Sequence, residues 1–478
     1  MRTAERPLDD PRAPTALRRA GGPAPIGSAA RAPSRRRRLP ATPRRRVVDV
    51  LAGLAGIGLG AVIALGVSAE SSGSLSATGG PMTAAGRVTG LVAMYAMVVV
   101  VLLVARIPAL ERAVGMDRLV GWHRKLGPWP LYLIAAHGAL ITIGYAQAAH
   151  DGVLHQLGQL LWTYPGILAA TVGSVLLIAA GVTSYKKARR RMAYETWWSV
   201  HLYTYLALFL SFSHQIGTGA SFVGHPVATL FWKTLFWGTA AVVVACRIGL
   251  PAWRSLRHQV KVVAVTPAGP GMVSVLLEGR RLDRLPIAGG QFLQWRFLKR
   301  GMWWQAHPYS LSAAPDRRHL RITVKALGDH SAALESIDVG TRVAIEGPYG
   351  AFTTDQRTSD KVLLVGAGVG TTPIRAVLQE LPQEADVVAV LRGSTAADLA
   401  LRDEIVEDVR WRRGRVHELL GPRAGIDLSA SGLLRLAPDL AERDVFVCGP
   451  DGFTRRVVAA ARDAGVPKEQ IHHETFEF

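Results

Sequence analysis

Residues 121–146 read GWHRKLGPWPLYLIAAHGALITIGYA, and residues 197–215 read WWSVHLYTYLALFLSFSHQ. Each approaches the roughly 20 residues that a helix needs to cross a bilayer. Each also holds two histidines, His123 with His137 and His201 with His214, spaced 14 and 13 residues apart. A histidine within an apolar span is costly, and four in a matched pattern point to ligation rather than packing. If both helices run in one direction, the first members meet near one membrane surface and the second members about 20 Å further along. Neutral imidazole binds iron well, and one from each helix would hold a six-coordinate haem suited to electron transfer. At about 100° per residue, 14 residues return nearly to the same face, whereas 13 fall about 140° away. A bulge, kink or local overwinding between His201 and His214 is therefore predicted, and with no Gly or Pro there a π-bulge is the favoured device.

Around these two stretches lie four more apolar ones, at 47–69, 84–105, 164–184 and 229–248, which makes six with 123–146 and 197–215. The loop after the second carries Arg106, Arg112, Arg118, Arg124 and Lys125, and the loop after the fourth Lys186, Lys187, Arg189, Arg190 and Arg191. Loops 70–83, 147–162 and 216–228 contain no Lys or Arg. That alternation predicts a multi-pass protein of the cell membrane with both termini cytoplasmic. Arg44 to Arg46, the apolar run and Val67-Ser68-Ala69 also resemble a signal peptide with a cleavage site, but the run is long for one. Basic residues at the inner rim, such as Arg124, Lys125 and Arg191, are explained by topology, with haem propionates as a second reading. Arg87 lies at an outer end and has no such explanation, which makes it a candidate for an outer propionate or an anionic product.

The chain has 478 residues, 49% hydrophobic and 19% charged, which fits several domains with a membrane portion. Its net charge of +20 resembles that of a nucleic-acid binder until it is located. Residues 1–46 hold 13 arginines against Glu5, Asp9 and Asp10, so half the excess sits in one tail. The expectation is a disordered basic cytoplasmic tail lying on anionic membrane lipid, with no nucleic-acid partner. Two cysteines, Cys246 and Cys448, form no paired spacing, so neither a disulfide framework nor a thiolate metal site is expected.

From about Gln259 the pattern shifts to short β-rich runs, Val260 to Val265, Val273 to Glu278, Phe292 to Leu298, Leu320 to Leu327 and Arg342 to Glu346, separated by Gly and Pro. These predict a small antiparallel barrel. Then Val362 to Val365 reads as a buried strand running into Gly366-Ala367-Gly368-Val369-Gly370-Thr371-Thr372-Pro373 and a helix to about Leu381, with further strands at Val387 to Leu391 and Val445 to Val447. Glycines admit a pyrophosphate to the backbone, and the helix N-terminus offers free N–H donors, so this is a dinucleotide loop in a Rossmann-like α/β domain. The predicted organisation is therefore a basic tail (1–46), an all-α six-helix transmembrane di-haem bundle (47–250), a β-barrel flavin domain (255–357) and a nucleotide domain (358–478).

His307-Pro308-Tyr309-Ser310-Leu311-Ser312, Gly347-Pro348-Tyr349-Gly350, the Gly366 to Pro373 loop, Cys448-Gly449-Pro450 and Phe478 follow one another as in ferredoxin-NADP reductase-like flavoproteins. Together with the paired histidines, the chain after the tail resembles the ferric reductase and NADPH oxidase superfamily, in its bacterial form. The resemblance implies FAD, two b-type haems on the four histidines, and NADPH, with NADH possible. Tyr309 would pack on the isoalloxazine, and Ser310 would hydrogen-bond near flavin N5. Val324, Lys325 and Ser331 would line the flavin and its phosphates beside Gly347 and Gly350. Gly366, Gly368, Gly370 and Thr371 would hold the nucleotide pyrophosphate, and Arg392 and Arg402 would pair with a 2′-phosphate. Cys448, Gly449 and Pro450 would sit beside the nicotinamide, with Phe478 covering the flavin face.

The implied activity is a transmembrane NAD(P)H-dependent ferric reductase-like oxidoreductase that delivers electrons to an outside acceptor. Ferric chelates are the first expectation and dioxygen the alternative. Ile141 stands four residues after His137, where oxidases of the superfamily tend to carry a histidine, and this favours iron. Two other readings are a haem-binding membrane sensor or scaffold, and a reductase tethered by a haem-free anchor.

Overall fold

The computed structural model describes residues 43–475 except 190, 193, 423 and 424. Nearly all of the basic tail, and Phe478, lie outside the described residues. The helical half comprises α1 (Pro43–Ser68), α2 (Gly80–Leu103), α3 (Pro108–Val114), α4 (Met116–Leu126), α5 (Pro128–Ala149), α6 (Val153–Thr163), α7 (Ile167–Ser184), α8 (Tyr194–Thr218) and α9 (Pro226–Val244). A π turn, Ala245–Gly249, carries α9 into α10 (Leu250–His258).

Five of these helical segments are long and apolar enough to cross a membrane: α1, α2, α4 with α5, α7, and α9 with α10. Large apolar side chains such as Ile57, Val182, Leu230 and Ile248 stand exposed on them, as lipid-facing residues must. The fifth predicted stretch, α8, is 25 residues long but falls outside that set, because His201, Thr204, Ser211, Ser213, His214 and Gln215 dilute its apolar character. Within the membrane half, α2 packs chiefly on α5, and α8 on α7. Small residues permit the first approach: a Cβ at Gly86 would lie 2.9 Å from Ile141, and one at Gly90 2.6 Å from the His137 ring.

The predicted π-bulge in the fifth stretch is corrected. Among the described residues α8 is unbroken α-helix, and the π turn lies in the sixth stretch at Ala245–Gly249. The irregularity near the histidines falls on the opposite helix. Between His123 and His137 the regular ladder stops at Gly127, where Pro128 lacks the N–H needed to continue it.

After α10 come β1 (Lys261–Gly269), β2 (Met272–Glu278), β3 (Phe292–Phe297), β4 (His307–Ser310), β5 (His319–Lys325) and β6 (Val343–Tyr349). They form two three-stranded sheets, β1-β2-β5 and β4-β3-β6, joined by single bridges at Lys261↔Arg342 and Leu311↔Ile322. Alternating inward residues, including Val262, Val275, Leu293, Trp295, Ile322 and Ile345, fill the space between them.

The last part is an α/β layer structure. Strands β7 (Lys361–Ala367), β8 (Asp386–Gly393), β9 (Arg415–Leu420), β10 (Asp444–Gly449) and β11 (Ile471–Thr475) form one parallel sheet in the order β11-β10-β7-β8-β9. Helices α11 (Thr371–Glu380), α12 (Arg402–Trp411) and α13 (Asp451–Asp463) cover its faces. The chain runs outward from β7 to β9 and then returns to the other side of β7. The switch point, where doubly wound sheets bind nucleotides, therefore lies between β7 and β10.

Arg443, with a fully buried side chain, locks this sheet from below. It pairs with Asp386 (2.7 Å) and Asp439 (2.6 Å) and donates to the carbonyls of Asp386 and Val362. Replacing it with alanine removes both ion pairs, but Asp386 is half-exposed and Asp439 keeps Lys361 at 3.0 Å, so the expected cost is about 1–3 kcal/mol, read as a lower unfolding temperature of the nucleotide domain. Hydrogen bonds from Arg443 hold the Asp439 carboxyl down at about 2. A depressed carboxylate contributes stability above its unfolded pKa and loses it as pH falls through the folded one. The difference between parent and Arg443→Ala should therefore shrink between about pH 4 and pH 2.

Candidate functional site

Two pairs of histidine rings face each other across the helical half. His123 of α4 lies opposite His201 of α8 with ring centroids 6.1 Å apart, and His137 of α5 opposite His214 of α8 at 6.4 Å. An imidazole nitrogen binds a transition metal at about 2 Å and sits about 1 Å from its ring centre. Two rings on one ion thus have centroids roughly 6 Å apart. The hydrogen bonds on the far side of the rings fit the same use. His123 Nδ1 donates to the Val100 carbonyl (3.0 Å) and His137 Nδ1 to the Gly86 carbonyl (2.7 Å), both on α2. The Ser184 hydroxyl donates to the Ala180 carbonyl, so at 3.3 Å it is left to accept from His201 Nδ1. A proton fixed on Nδ1 leaves Nε2 as the lone-pair nitrogen, the arrangement a ligating histidine needs. His214 Nδ1 is buried, with the Ser211 backbone one turn earlier on α8 as its hydrogen-bonding neighbour. No group of three or more His, Cys, Asp or Glu side chains among the described residues could hold a metal ion alone. These pairs suit an ion whose remaining ligands come with it, as a porphyrin supplies them.

Arg87, the candidate for an outer propionate or an anionic product, has a carboxylate partner. Its Nη1 donates to Glu70 Oε1 at 2.8 Å, and the Glu70 side chain is nearly buried, so the charge is already paired. An anion at this end of α2 would compete with that carboxylate.

The two tyrosine motifs are brought to one sheet. Strand β3 lies between β4, which carries His307 to Ser310, and β6, which ends in Gly347-Pro348-Tyr349. Register sets Leu293 opposite Tyr309 and Phe292 opposite Tyr349. Trp295 Nε1 holds the Tyr309 carbonyl at 2.8 Å, Ser310 is buried, and burial pushes the Tyr309 phenol up. Ser331 braces its own loop: its hydroxyl accepts from Leu327 N (2.9 Å) and Gly328 N (3.0 Å). That loop, which follows Val324 and Lys325, brings in His330, a residue the motif reading missed. Its ring lies 3.8 Å from that of His307, and its Nδ1 is 3.4 Å from the Tyr309 hydroxyl. Burial, with His307 adding to it, pushes His330 down to about 4, so it is neutral at physiological pH.

A second missed cluster ties the two small sheets to the nucleotide domain. Arg321 Nη2 and Arg375 Nη1 both donate to the Ser312 carbonyl, at 2.9 and 3.2 Å, and both pair with Glu404. Burial, with Arg321 adding to it, lowers Arg375 to about 10, which still leaves it charged. Nothing in the local sequence marks these three as partners.

At the switch point, the Gly366 to Gly370 turn meets Cys448-Gly449. A Cβ at Gly370 would lie 2.4 Å from the Cys448 carbonyl oxygen, so glycine is needed there for close approach. Thr371 closes the turn, its single hydroxyl proton shared between Gly368 O and Ala400 O, both at 2.7 Å. Cys448 is fully buried beside Glu474 of β11, and burial pushes its thiol up, so it is no thiolate.

The arginines read as 2′-phosphate ligands have protein partners of their own. Arg392 is buried and donates to the carbonyls of Gly393, Leu419 (3.1 Å) and Gly421 (2.7 Å). Arg402 makes a two-pronged pair with Glu418 at 2.9 and 2.8 Å.

A family model described as ferric reductase like transmembrane component matches residues 89–212, and another described as FAD-binding domain matches residues 257–353. The flavohemoprotein of Pseudomonas aeruginosa is 38% identical over 182 residues, which cover 35% of this chain and 46% of that protein. The ferredoxin reductase component of 3-ketosteroid-9-alpha-monooxygenase from Mycolicibacterium smegmatis is 33% identical over 230 residues, covering 45% of this chain and 64% of that protein. Among solved structures, the FAD/NAD binding domain of nitric oxide dioxygenase from Vibrio cholerae O1 biovar El Tor is similar at 25% identity and a TM-score of 0.39. That match covers 46% of this chain and 98% of the other. The chain spans about half the length of the curated relatives it matches.

Proposed function

We propose, from the ferric-reductase-like membrane component and FAD-binding domain that give this chain the architecture of the ferric reductase and NADPH oxidase superfamily, that it is a transmembrane NAD(P)H oxidoreductase delivering electrons to an outside acceptor. Six spans, with α8 as the fifth, would leave both termini in the cytoplasm, and the two small sheets would close as a barrel around the flavin edge. The observation that carries the reading is the pair of histidine contacts at 6.1 and 6.4 Å, one below the other along α8.

When bound, the flavin would split a hydride into single electrons and the two haems would carry them across the membrane. The chain's own residues bind and orient. His123 with His201, and His137 with His214, would each hold one haem iron, with α2 carbonyls fixing two of the rings. Tyr309, Ser310 and the loop around Lys325 and Ser331 would receive the flavin, and the Gly366 to Thr371 turn the pyrophosphate. Neutral Cys448 would pack beside the nicotinamide without taking or giving a proton. Arg402 could reach a 2′-phosphate only by giving up Glu418, so NADH stands beside NADPH as a donor.

Ferric chelates are favoured over dioxygen, because Ile141 stands four residues after His137. Anaerobic reduction by NADPH, followed by separate additions of ferric citrate and of oxygen, is expected to reoxidise the protein faster with iron. Faster reoxidation by oxygen would reverse that assignment.

A further inference from the structure

At the foot of α2 the chain turns through Arg106, whose φ of 60° is rare for a residue with a side chain. That turn directs the guanidinium at β6. Nη1 donates to Glu346 Oε1 and to the Tyr349 hydroxyl (3.1 Å), the guanidinium lies 4.7 Å from the Tyr349 ring centre, and Tyr349 itself donates to Glu346 at 2.9 Å. Tyr349 is buried, and burial pushes the nearby Glu111 carboxyl up to about 7 even though Arg106 opposes it. The contact is therefore poorly solvated, and an ion pair there is little screened.

Its place in the fold gives it meaning. Val100, six residues before Arg106 on α2, holds His123 Nδ1 through its carbonyl, and Gly86 higher on the same helix holds His137. Glu346 and Tyr349 belong to the strand that ends in Gly347-Pro348-Tyr349 and shares β3 with the His307 to Ser310 strand. A second attachment comes from α10, where Ser255 Oγ accepts from Ile345 N at 3.0 Å and Arg254 donates to the Gly347 carbonyl. Strand β6 is thus held by the covalent extension of α9 and, independently, by the helix that orients the histidines.

We propose that Arg106 is a positioning residue that fixes the flavin-binding sheet against the inner histidine pair, so that electrons pass from one half to the other over a set distance. This rests on the function proposed above. Rapid mixing of the full chain with NADPH separates flavin reduction from haem reduction. Arg106→Ala is expected to leave flavin content, haem content and flavin reduction unchanged and to slow haem reduction on the order of 10-fold or more. Arg106→Lys, which can still pair with Glu346 but has no planar fork for Tyr349, should recover part of the rate.

A second measurement needs no haem. Spin labels on Tyr185→Cys, at the exposed inner end of α7, and Leu327→Cys, exposed on the flavin loop, should give a narrow distance distribution. Arg106→Ala should broaden it and Arg106→Lys should partly restore it. Unchanged distances together with unchanged haem reduction would overturn the proposal. If the parent shows no haem reduction at all, the functional reading fails. The label distances then decide Arg106: broadening supports its positioning role and an unaltered distribution refutes it.

Discussion

Replacing His214 with alanine is expected to halve the haem content of the purified chain and to cut NADPH-driven reduction of an outside acceptor roughly 100-fold or more. A soluble dye that takes electrons directly from the flavin should still be reduced at close to the parent rate. The asymmetry follows from position. His214 faces His137, while the other pair, His123 and His201, lies at the far end of α8 and has its own hydrogen bonds to Val100 and Ser184. On the proposed route, loss of His214 would break electron flow beyond the His123–His201 pair and leave everything before it intact. The matching change His201→Ala should block electrons earlier, so that neither haem is reduced although the outer one remains. A drop in dye reduction equal to the drop in acceptor reduction would point instead to general misfolding.

Gly370→Ala is expected to act at the opposite end of the pathway. A Cβ there meets the Cys448 carbonyl oxygen at 2.4 Å, its carbonyl carbon at 2.7 Å and Gly449 Cα at 2.8 Å, all backbone atoms that cannot rotate away. The turn and the Cys448-Gly449 strand end must part, which opens the switch-point crevice. Overpacking of this kind costs about 1–3 kcal/mol, so reduction of the flavin by NAD(P)H should fall about 5- to 100-fold. Flavin content should be retained, because the β4-β3-β6 sheet is not touched, and dithionite should still reduce both haems. Loss of flavin from this variant would show that the turn supports the fold rather than the nucleotide.

Much of this was legible in the sequence because it is local. Apolar runs of membrane length located α1, α2, α5, α7 and α9, and the glycine-rich turn after Val365 located the β7–α11 junction. Histidine spacing paired the right residues. It misjudged how the helices accommodate 13 against 14, because that depends on how two axes cross and on Pro128 breaking the opposite helix, neither of which one helix can report. Strand β9 was missed because Arg415 to Leu420 is half-exposed and mixes charge with apolar residues, and β11 because Ile471-His472-His473-Glu474 has no apolar alternation. Arg392 and Arg402 stand where a phosphate-binding arginine belongs, and only the fold reveals that carbonyls and Glu418 already occupy them. Arg106 with Glu346, and Arg375 with Glu404, join distant segments of chain for which no spacing rule exists.

The four histidines bear most directly on the central claim, and the ratio of b-type haem to flavin in the purified full chain tests it. A pyridine haemochrome assay against extracted FAD should give two haems per flavin, both reducible by NADPH in the absence of oxygen. A ratio near zero, with flavin still reduced by NADPH, would contradict the account and leave a flavin reductase on a haem-free membrane anchor.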